Sequence, residues 1–258
     1  MPPGTERFLG TRTLSADHRR LASMLKPGMS VLDVGCGSGA ITRGIAETVG
    51  LRGTVVGIDV SKELIALAAA SSSAQPNLSF EIADITRLGY RDRFDVATAA
   101  RVLQWLADPL AALQGMIAAV KGGGQLVVVD YNHTKARWEP EPPEAFTHFY
   151  EAFLSWRASA GMDNKIADHL AEMLTSLGLV EVRATEELEV TRRGDRDFET
   201  RIALWASVIA TRGHQIVADG MITETHRADA EEAFNEWVAA AAQSQSLYLL
   251  AVSARKSR

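Results

Sequence analysis

The chain has 258 residues, of which 47% are hydrophobic, with 27 Lys and Arg against 32 Asp and Glu, for a formal net charge of −5. That length suits one large α/β domain with a sizeable core, and the acidic balance removes the basic surface that polyanions require. The single cysteine excludes an intrachain disulfide, and neither a signal pattern at the N-terminus nor an apolar run of ~18 residues is present, so a cytoplasmic protein without membrane contact is expected.

Leu14, Leu21 and Leu25 show helical spacing over residues 14–25, with Thr13 or Ser15 as cap and Lys26-Pro27-Gly28 as terminator. Val31-Leu32-Asp33-Val34-Gly35-Cys36-Gly37-Ser38-Gly39-Ala40 then reads as a buried strand, a turn of alternating glycines and a helix start. Such turns present backbone to a nucleotide at the carboxyl edge of a parallel sheet, and glycines are needed where a Cβ would block the approach. Gly35-x-Gly37-x-x-Ala40 also satisfies the dinucleotide pattern, so spacing alone leaves the ligand open. Asp33, two places before the first glycine, stands where dinucleotide strands usually carry an apolar residue.

The second strand, Thr54 to Asp59, ends in an acid able to accept both ribose hydroxyls of an adenosine, with Val60 beside the base. The third, Leu78 to Ile82, leads to Asp84 and Ile85, and the fourth, Phe94 to Ala99, to Ala100-Arg101-Val102-Leu103-Gln104-Trp105-Leu106 and Asp108-Pro109. Lys121-Gly122-Gly123-Gly124 opens a fifth strand over Gln125 to Asp130. Taken singly, Asp33 and Asp84 could be turn or capping residues. Three acids at successive strand ends on one sheet edge argue jointly for an adenosine site.

This series resembles the class I S-adenosylmethionine-dependent methyltransferases, small-molecule branch, including the ubiquinone and menaquinone C-methyltransferases. The resemblance covers roughly residues 12–130. It implies a doubly wound, Rossmann-like α/β sheet of seven strands, mostly parallel with an antiparallel last strand. It implies S-adenosylmethionine as cofactor, held by Arg12, Asp33, Gly35, Gly37, Gly39, Asp59, Val60, Asp84, Ile85 and Ala100. Arg12 would meet the methionine carboxylate, against the plainer reading of a solvated surface arginine, and Asp84 the adenine amino group. Most relatives carry His where this chain has Gln104, which removes an imidazole there and leaves a hydrogen bond.

Beyond the fifth strand come Tyr131-Asn132-His133, a proline-rich stretch, and a helix whose Phe146, Phe149, Tyr150, Phe153 and Trp156 share one face. That face packs on the domain, and part of it is expected to roof a substrate pocket. Helices follow over residues 167–177, 198–211 and 228–242, with a sixth strand from Leu179 and the last strand at Ser246 to Ala254. Residues 131–165 and 195–243 are thus read as helical insertions capping the pocket of one domain spanning 1–258. Trp205 and Trp237 would form pocket wall, core or a homodimer contact.

Tyr131, Asn132, Phe149 and Phe153 are the candidate acceptor-binding residues. His133, just past the fifth strand, is the candidate general base, against the plainer reading that Asn132-His133 orders its loop. Cys36 reads as a small side chain beside the cofactor, and no histidine shows metal spacing with Cys or acids. The expected activity is methyl transfer to a small, largely apolar metabolite, O-methylation slightly ahead of N- or C-methylation. A base is needed only where the acceptor must lose a proton. The Asn/Asp-Pro-Pro-aromatic run of nucleic-acid amino methylases is replaced by Ala99-Ala100-Arg101-Val102, so nucleic acid is not the expected substrate. The rivals are a cofactor-binding fold with a different reaction, a non-catalytic scaffold, and a nicotinamide-dependent oxidoreductase.

Overall fold

The structure, a computed structural model, describes residues 10–258; the segment read above for a targeting signal falls, apart from Gly10, outside them. Strands β1 (Ser30–Val34), β2 (Thr54–Asp59), β3 (Leu78–Ile82), β4 (Phe94–Ala100) and β5 (Val120–Glu139) pair in parallel in the order β3-β2-β1-β4-β5. The last strand, β8 (Ser244–Arg255), runs antiparallel to β5 and receives β6 (Val180–Glu186) on its other edge. The short β7 (Glu189–Arg192) pairs with the first half of β8, so the sheet has eight strands where seven are expected.

The first two strands are short β-branched or apolar runs closed by Gly35 and Asp59, and the third alternates Leu78, Phe80 and Ile82 with Ser79 and Glu81. The expected bounds hold except that the first strand starts one residue earlier, at Ser30. The fifth is far longer than the Gln125–Asp130 reading: residues 131–139 look like loop by composition, yet Arg137, Trp138 and Glu139 pair with Ser246, Gln245 and Ser244. The single helix read over 14–25 is two, α1 (Leu14–Asp17) and α2 (Arg19–Met24), broken at His18. His18 turns its ring into the core, where Nε2 lies 2.8 Å from Thr98 Oγ1, and the Glu187 carboxylate accepts the backbone N–H groups of Arg19 and Arg20 at the restart. Two partners distant in sequence override a local helical pattern.

Helices α3 (Ala40–Val49), α4 (Lys62–Ala70) and α5 (Pro109–Ala119) return the chain between parallel strands. Ser61 Oγ caps α4 by accepting from Leu64 N, and Asp108 with Pro109 starts α5 in the same manner. Helix α7 (Ile166–Ser176) packs Ile166, Leu170 and Leu174 into the sheet core. Helices α6 (Glu144–Ser159), α9 (Leu204–Ala218) and α10 (Glu224–Ala240) share a second apolar cluster with Val129, Tyr131, Leu247 and Leu249, while α8 (Phe198–Ile202) leads into α9. All five rings of the expected α6 face are buried there, and Phe146 stacks on Phe234 at 4.3 Å. Trp205 and Trp237 are 3% and 7% exposed, covered by this chain itself. No helix among the described residues is long and apolar enough to cross a membrane.

Candidate active site

A cavity of about 560 Å³ opens at the carboxyl edge of the parallel strands, between the sheet and helices α6 and α9. Its size falls within the usual range of small-molecule sites. Of the expected cofactor set, Arg12, Asp33, Gly35, Gly37, Asp59, Val60, Asp84, Ile85 and Ala100 line it. Gly39 does not. It lies one step behind, the left-handed N-cap of α3 at φ 73°, where a Cβ would stand 2.7 Å from the Phe80 ring.

The glycine turn is held by its own backbone. Gly35 N and Cys36 N both donate to the carbonyl of Ile58, at 2.8 and 2.9 Å. Gly35 has φ +71°, and Val102 Cγ2 would lie 2.4 Å from any Cβ added there. Gly37 N donates to Asp59 Oδ2 at 3.0 Å and Ser61 N to Oδ1 at 2.9 Å, which fixes both oxygens at the cavity wall. Asp33 is 3% exposed and accepts from Thr42 Oγ1 at 2.7 Å. Burial lifts its pKa to about 7 against that hydrogen bond, with the Asp59 charge adding to the rise. Asp84 lines the cavity and also caps a turn of 3-10 helix, its Oδ1 taking Thr86 N and Oγ1 at 2.9 and 2.8 Å. Cys36 lines the cavity as well, and burial pushes its thiol far up, which disfavours the thiolate.

Of the expected acceptor set, Tyr131, His133 and Phe153 line the cavity. Asn132 and Phe149 do not, and those two expectations are corrected. Strand alternation turns Asn132 to the opposite face, where Nδ2 donates to Asp168 Oδ2 at 2.8 Å and Oδ1 accepts from Thr134. Phe149, 1% exposed, sits in the core shared by α6, α9 and α10, beside Gly213. His133 is buried between Tyr131 and Phe153, with Nε2 2.6 Å from Gln104 Oε1. Since Gln104 Nε2 donates to the Arg101 carbonyl, its Oε1 can only accept, so His133 carries its proton on Nε2 and Nδ1 is the bare acceptor. Burial, then the nearby Arg157 cation, holds its pKa well below 6.5.

Sequence reasoning missed a buried ionic cluster on the same wall. Arg101, at φ +63°, donates to the Glu189 carboxylate, to the Asp17 carbonyl at 3.0 Å and to Tyr131 Oη at 3.0 Å, and Tyr131 Oη donates on to Glu189 at 3.1 Å. Burial opposes the Arg101 charge, but Glu189, Tyr131 and Asp17 together outweigh it. Trp205, read from the sequence as a pocket-wall candidate, lines the cavity, whereas Trp105, Leu204, Ser207, Val208, Thr211 and Arg212 were missed. The helical spacing from Leu204 to Arg212 was the signal that could have found the last five.

A wider hollow of about 760 Å³ lies at the opposite, amino edge of these strands, where Lys121 pairs with Asp95 and Arg255 with Glu181. Among the described residues no group of three His, Cys, Asp or Glu could hold a metal ion.

Residues 25–174 match a family model described as a methyltransferase domain. Phosphoethanolamine N-methyltransferase 1 of Zea mays is 28% identical over 214 residues, 81% of this chain and 40% of that protein. Demethylmenaquinone methyltransferase of Shouchella clausii is 28% identical over 173 residues, 61% of this chain and 73% of that protein. The chain spans 30%, 40% and 39% of the length of the first three curated relatives it matches. In fold it is similar to a Haemonchus contortus phosphoethanolamine N-methyltransferase 2 solved with phosphomonomethylethanolamine and S-adenosylhomocysteine. That match has a TM-score of 0.58 at 17% identity, over 100% of this chain and 54% of that one.

Proposed function

The chain belongs to the methyltransferase domain family, and on that premise we propose that it is an S-adenosylmethionine-dependent methyltransferase acting on a small, largely apolar acceptor. The observation that carries this reading is the convergence of Asp33, Asp59 and Asp84 with the glycine turn on one wall of a cavity whose other wall is aromatic and aliphatic. The residues fit the cofactor: at Gly35 any Cβ would strike Val102 and fill the cradle. Asp59 takes the ribose hydroxyls with the lone pairs that Gly37 and Ser61 leave. Val60, 74% exposed with no protein neighbour covering it, and Ile85 flank the adenine, and Asp84 accepts from its amino group. Arg12 meets the carboxylate of the methionine end, Asp33 lies toward the same end, and Ala100 leaves room beside it. Residues 131–165 and 195–243 are the cap that covers the acceptor.

When bound, the cofactor supplies a methyl group activated by its sulfonium, which leaves by in-line displacement to the acceptor atom. The protein's part is alignment, worth about 7–11 kcal/mol in favourable cases, and exclusion of water by the rings of Phe153, Trp205 and Tyr131. His133 Nδ1 accepts a hydrogen bond from the acceptor's hydroxyl and turns its lone pair toward the methyl group. As the C–O bond forms the hydroxyl proton passes to Nδ1, and because the ring's pKa is held well below 6.5 the proton is released from there to water as the product leaves. Within this proposal O-methylation is the preferred outcome, supported by Nδ1 being the ring's sole acceptor. Small acceptors are also named for the relatives, phosphoethanolamine and demethylmenaquinone.

Calorimetry with S-adenosylmethionine and S-adenosylhomocysteine, NADH as competitor and Asp59→Ala in parallel tests the reading. Micromolar binding of both sulfur nucleosides, lost in Asp59→Ala and untouched by NADH, is expected. Preference for NADH would return the glycine turn to the dinucleotide class.

A further inference from the structure

Helix α9 turns one stripe to the cavity: Leu204, Ser207, Val208, Thr211 and Arg212 follow helical spacing and all line it. Four are apolar or short. Arg212 is the exception, and its guanidinium carbon lies 5.3 Å from the centroid of the Trp105 ring, itself a cavity wall. Among the described residues Arg212 forms no ion pair and no hydrogen bond, and burial lowers its pKa with no carboxylate to offset it.

Its neighbours make the contrast. Arg101, on the same cavity, is bound by Glu189. Arg157 is fully buried, lies 4.9 Å from the same Trp105 ring, and has an Nη1 with no hydrogen-bond partner. Its charge repels that of Arg212. The three carboxylates of the cavity are at the ends of β1, β2 and β3, on the cofactor side of the proposed reading. The acceptor end is therefore apolar and positive at once. A partly desolvated cation without a counter-charge is unfavourable, and a bound anion removes that penalty. The flat guanidinium fork suits two oxygens of one head group.

We infer that Arg212 receives an anionic head group, a carboxylate or a phosphate monoester, carried by an acceptor whose apolar body lies along α9 and Trp205. The inference rests on the methyltransferase reading of this cavity. Protein saturated with S-adenosylhomocysteine is titrated with 2-naphthoate, 2-naphthyl phosphate and 2-naphthamide, and with the one-ring set benzoate, phenyl phosphate and benzamide, following tryptophan fluorescence and heat. In at least one set an anion binds ~10- to 100-fold more tightly than its amide. Arg212→Met abolishes that preference, Arg212→Lys keeps part of it, and both variants hold S-adenosylhomocysteine as the parent does. Whichever of carboxylate and phosphate binds more tightly identifies the head group. No anion preference in either set, or one that survives Arg212→Met, overturns the inference. Failure of the parent to bind S-adenosylhomocysteine is a separate result, which removes the methyltransferase reading and this inference with it.

Discussion

Gln104 bridges His133 to the backbone of Arg101: its Oε1 lies 2.6 Å from His133 Nε2 and its Nε2 donates to the Arg101 carbonyl at 3.2 Å. Both ends of one amide are thus committed, and the histidine's proton is assigned by that commitment. His133 is expected to stay neutral, protonated on Nε2, from pH 6 to 8. Gln104→Glu sets a buried carboxylate against Nε2, which favours imidazolium and raises the pKa. Nitrogen chemical shifts of the His133 ring across that range check both statements. A parent ring that titrates near 6.5 would contradict the buried, Gln104-bound geometry.

Asp33 supplies a pH dependence with a definite sign. Its folded pKa of about 7 lies above the ordinary 3.8, because burial disfavours the carboxylate. Below pH ~4 the carboxyl is protonated in both folded and unfolded chains, and the folded state carries no penalty. Between pH ~4 and 7 the unfolded chain ionises first, so stability falls as pH rises, and above the folded pKa the loss is complete. At about 1.4 kcal/mol per pKa unit the loss amounts to a few kcal/mol. Asp33→Asn keeps an acceptor for Thr42 and removes the ionisation. In ligand-free protein its melting temperature matches the parent's near pH 4 and exceeds it at pH 8. Its affinity for S-adenosylmethionine falls about tenfold. Asp130, raised to about 6 by burial, slopes the same way in both proteins and cancels in the comparison.

Gly35→Ala separates two costs that coincide at one atom. The added Cβ meets Val102 Cγ2 at 2.4 Å and Cγ1 at 2.9 Å, and φ +71° is unfavourable for any L side chain. Val102→Ala removes both γ-carbons, keeps its own Cβ at 3.2 Å, and leaves chiefly the backbone term of ~1–2 kcal/mol. The double variant is therefore more stable in urea than Gly35→Ala combined additively with Val102→Ala. Simple additivity would mean that Val102 does not abut the turn.

The elements legible in the sequence are those whose causes are local. The first three strands and the glycine turn declare themselves by residue type, and Asp33, Asp59 and Asp84 by position at the strand ends. What escaped depends on partners far along the chain. Residues 131–139 are extended because β8 pairs with them a hundred residues later. The helix breaks at His18 because Thr98 and Glu187 engage its junction. Asn132 and Phe149 were misplaced for a subtler reason: the elements were right, but the face each presents to the cavity was not. In β5 the neighbours Tyr131 and His133 face the pocket, so Asn132 cannot.

The Arg101–Glu189 pair is the least predictable part of the site and the most exposed to a stability test. Arg101 and Asp17 each have side chains 2% exposed and Glu189 12%, so removing the cation takes the main counter-charge from a Glu189 carboxylate held out of water, while Asp17 keeps Arg201 at 3.7 Å and the Thr13 N–H at 2.7 Å. Arg101→Met is expected to lose about 3–5 kcal/mol in urea unfolding, the range for breaking a buried pair from one side. Glu189→Gln still accepts from Arg101, and Asp17 remains as counter-charge, so its loss is smaller. The double variant Arg101→Met, Glu189→Gln recovers part of the first loss, which appears as a favourable coupling in the mutant cycle. Arg101→Gly separates the backbone term, because φ +63° suits glycine. It loses the ion pair and the side-chain packing but regains the strain, about 1–2 kcal/mol for a residue with a Cβ. Tyr131 loses its Arg101 donor in every variant that replaces Arg101, so acceptor affinity falls in those variants while the Asp59 side of the cavity keeps its hold on the cofactor. An Arg101→Met chain as stable as the parent would mean that Glu189 and Asp17 are satisfied without the guanidinium, and that the cluster has no part in shaping the acceptor wall.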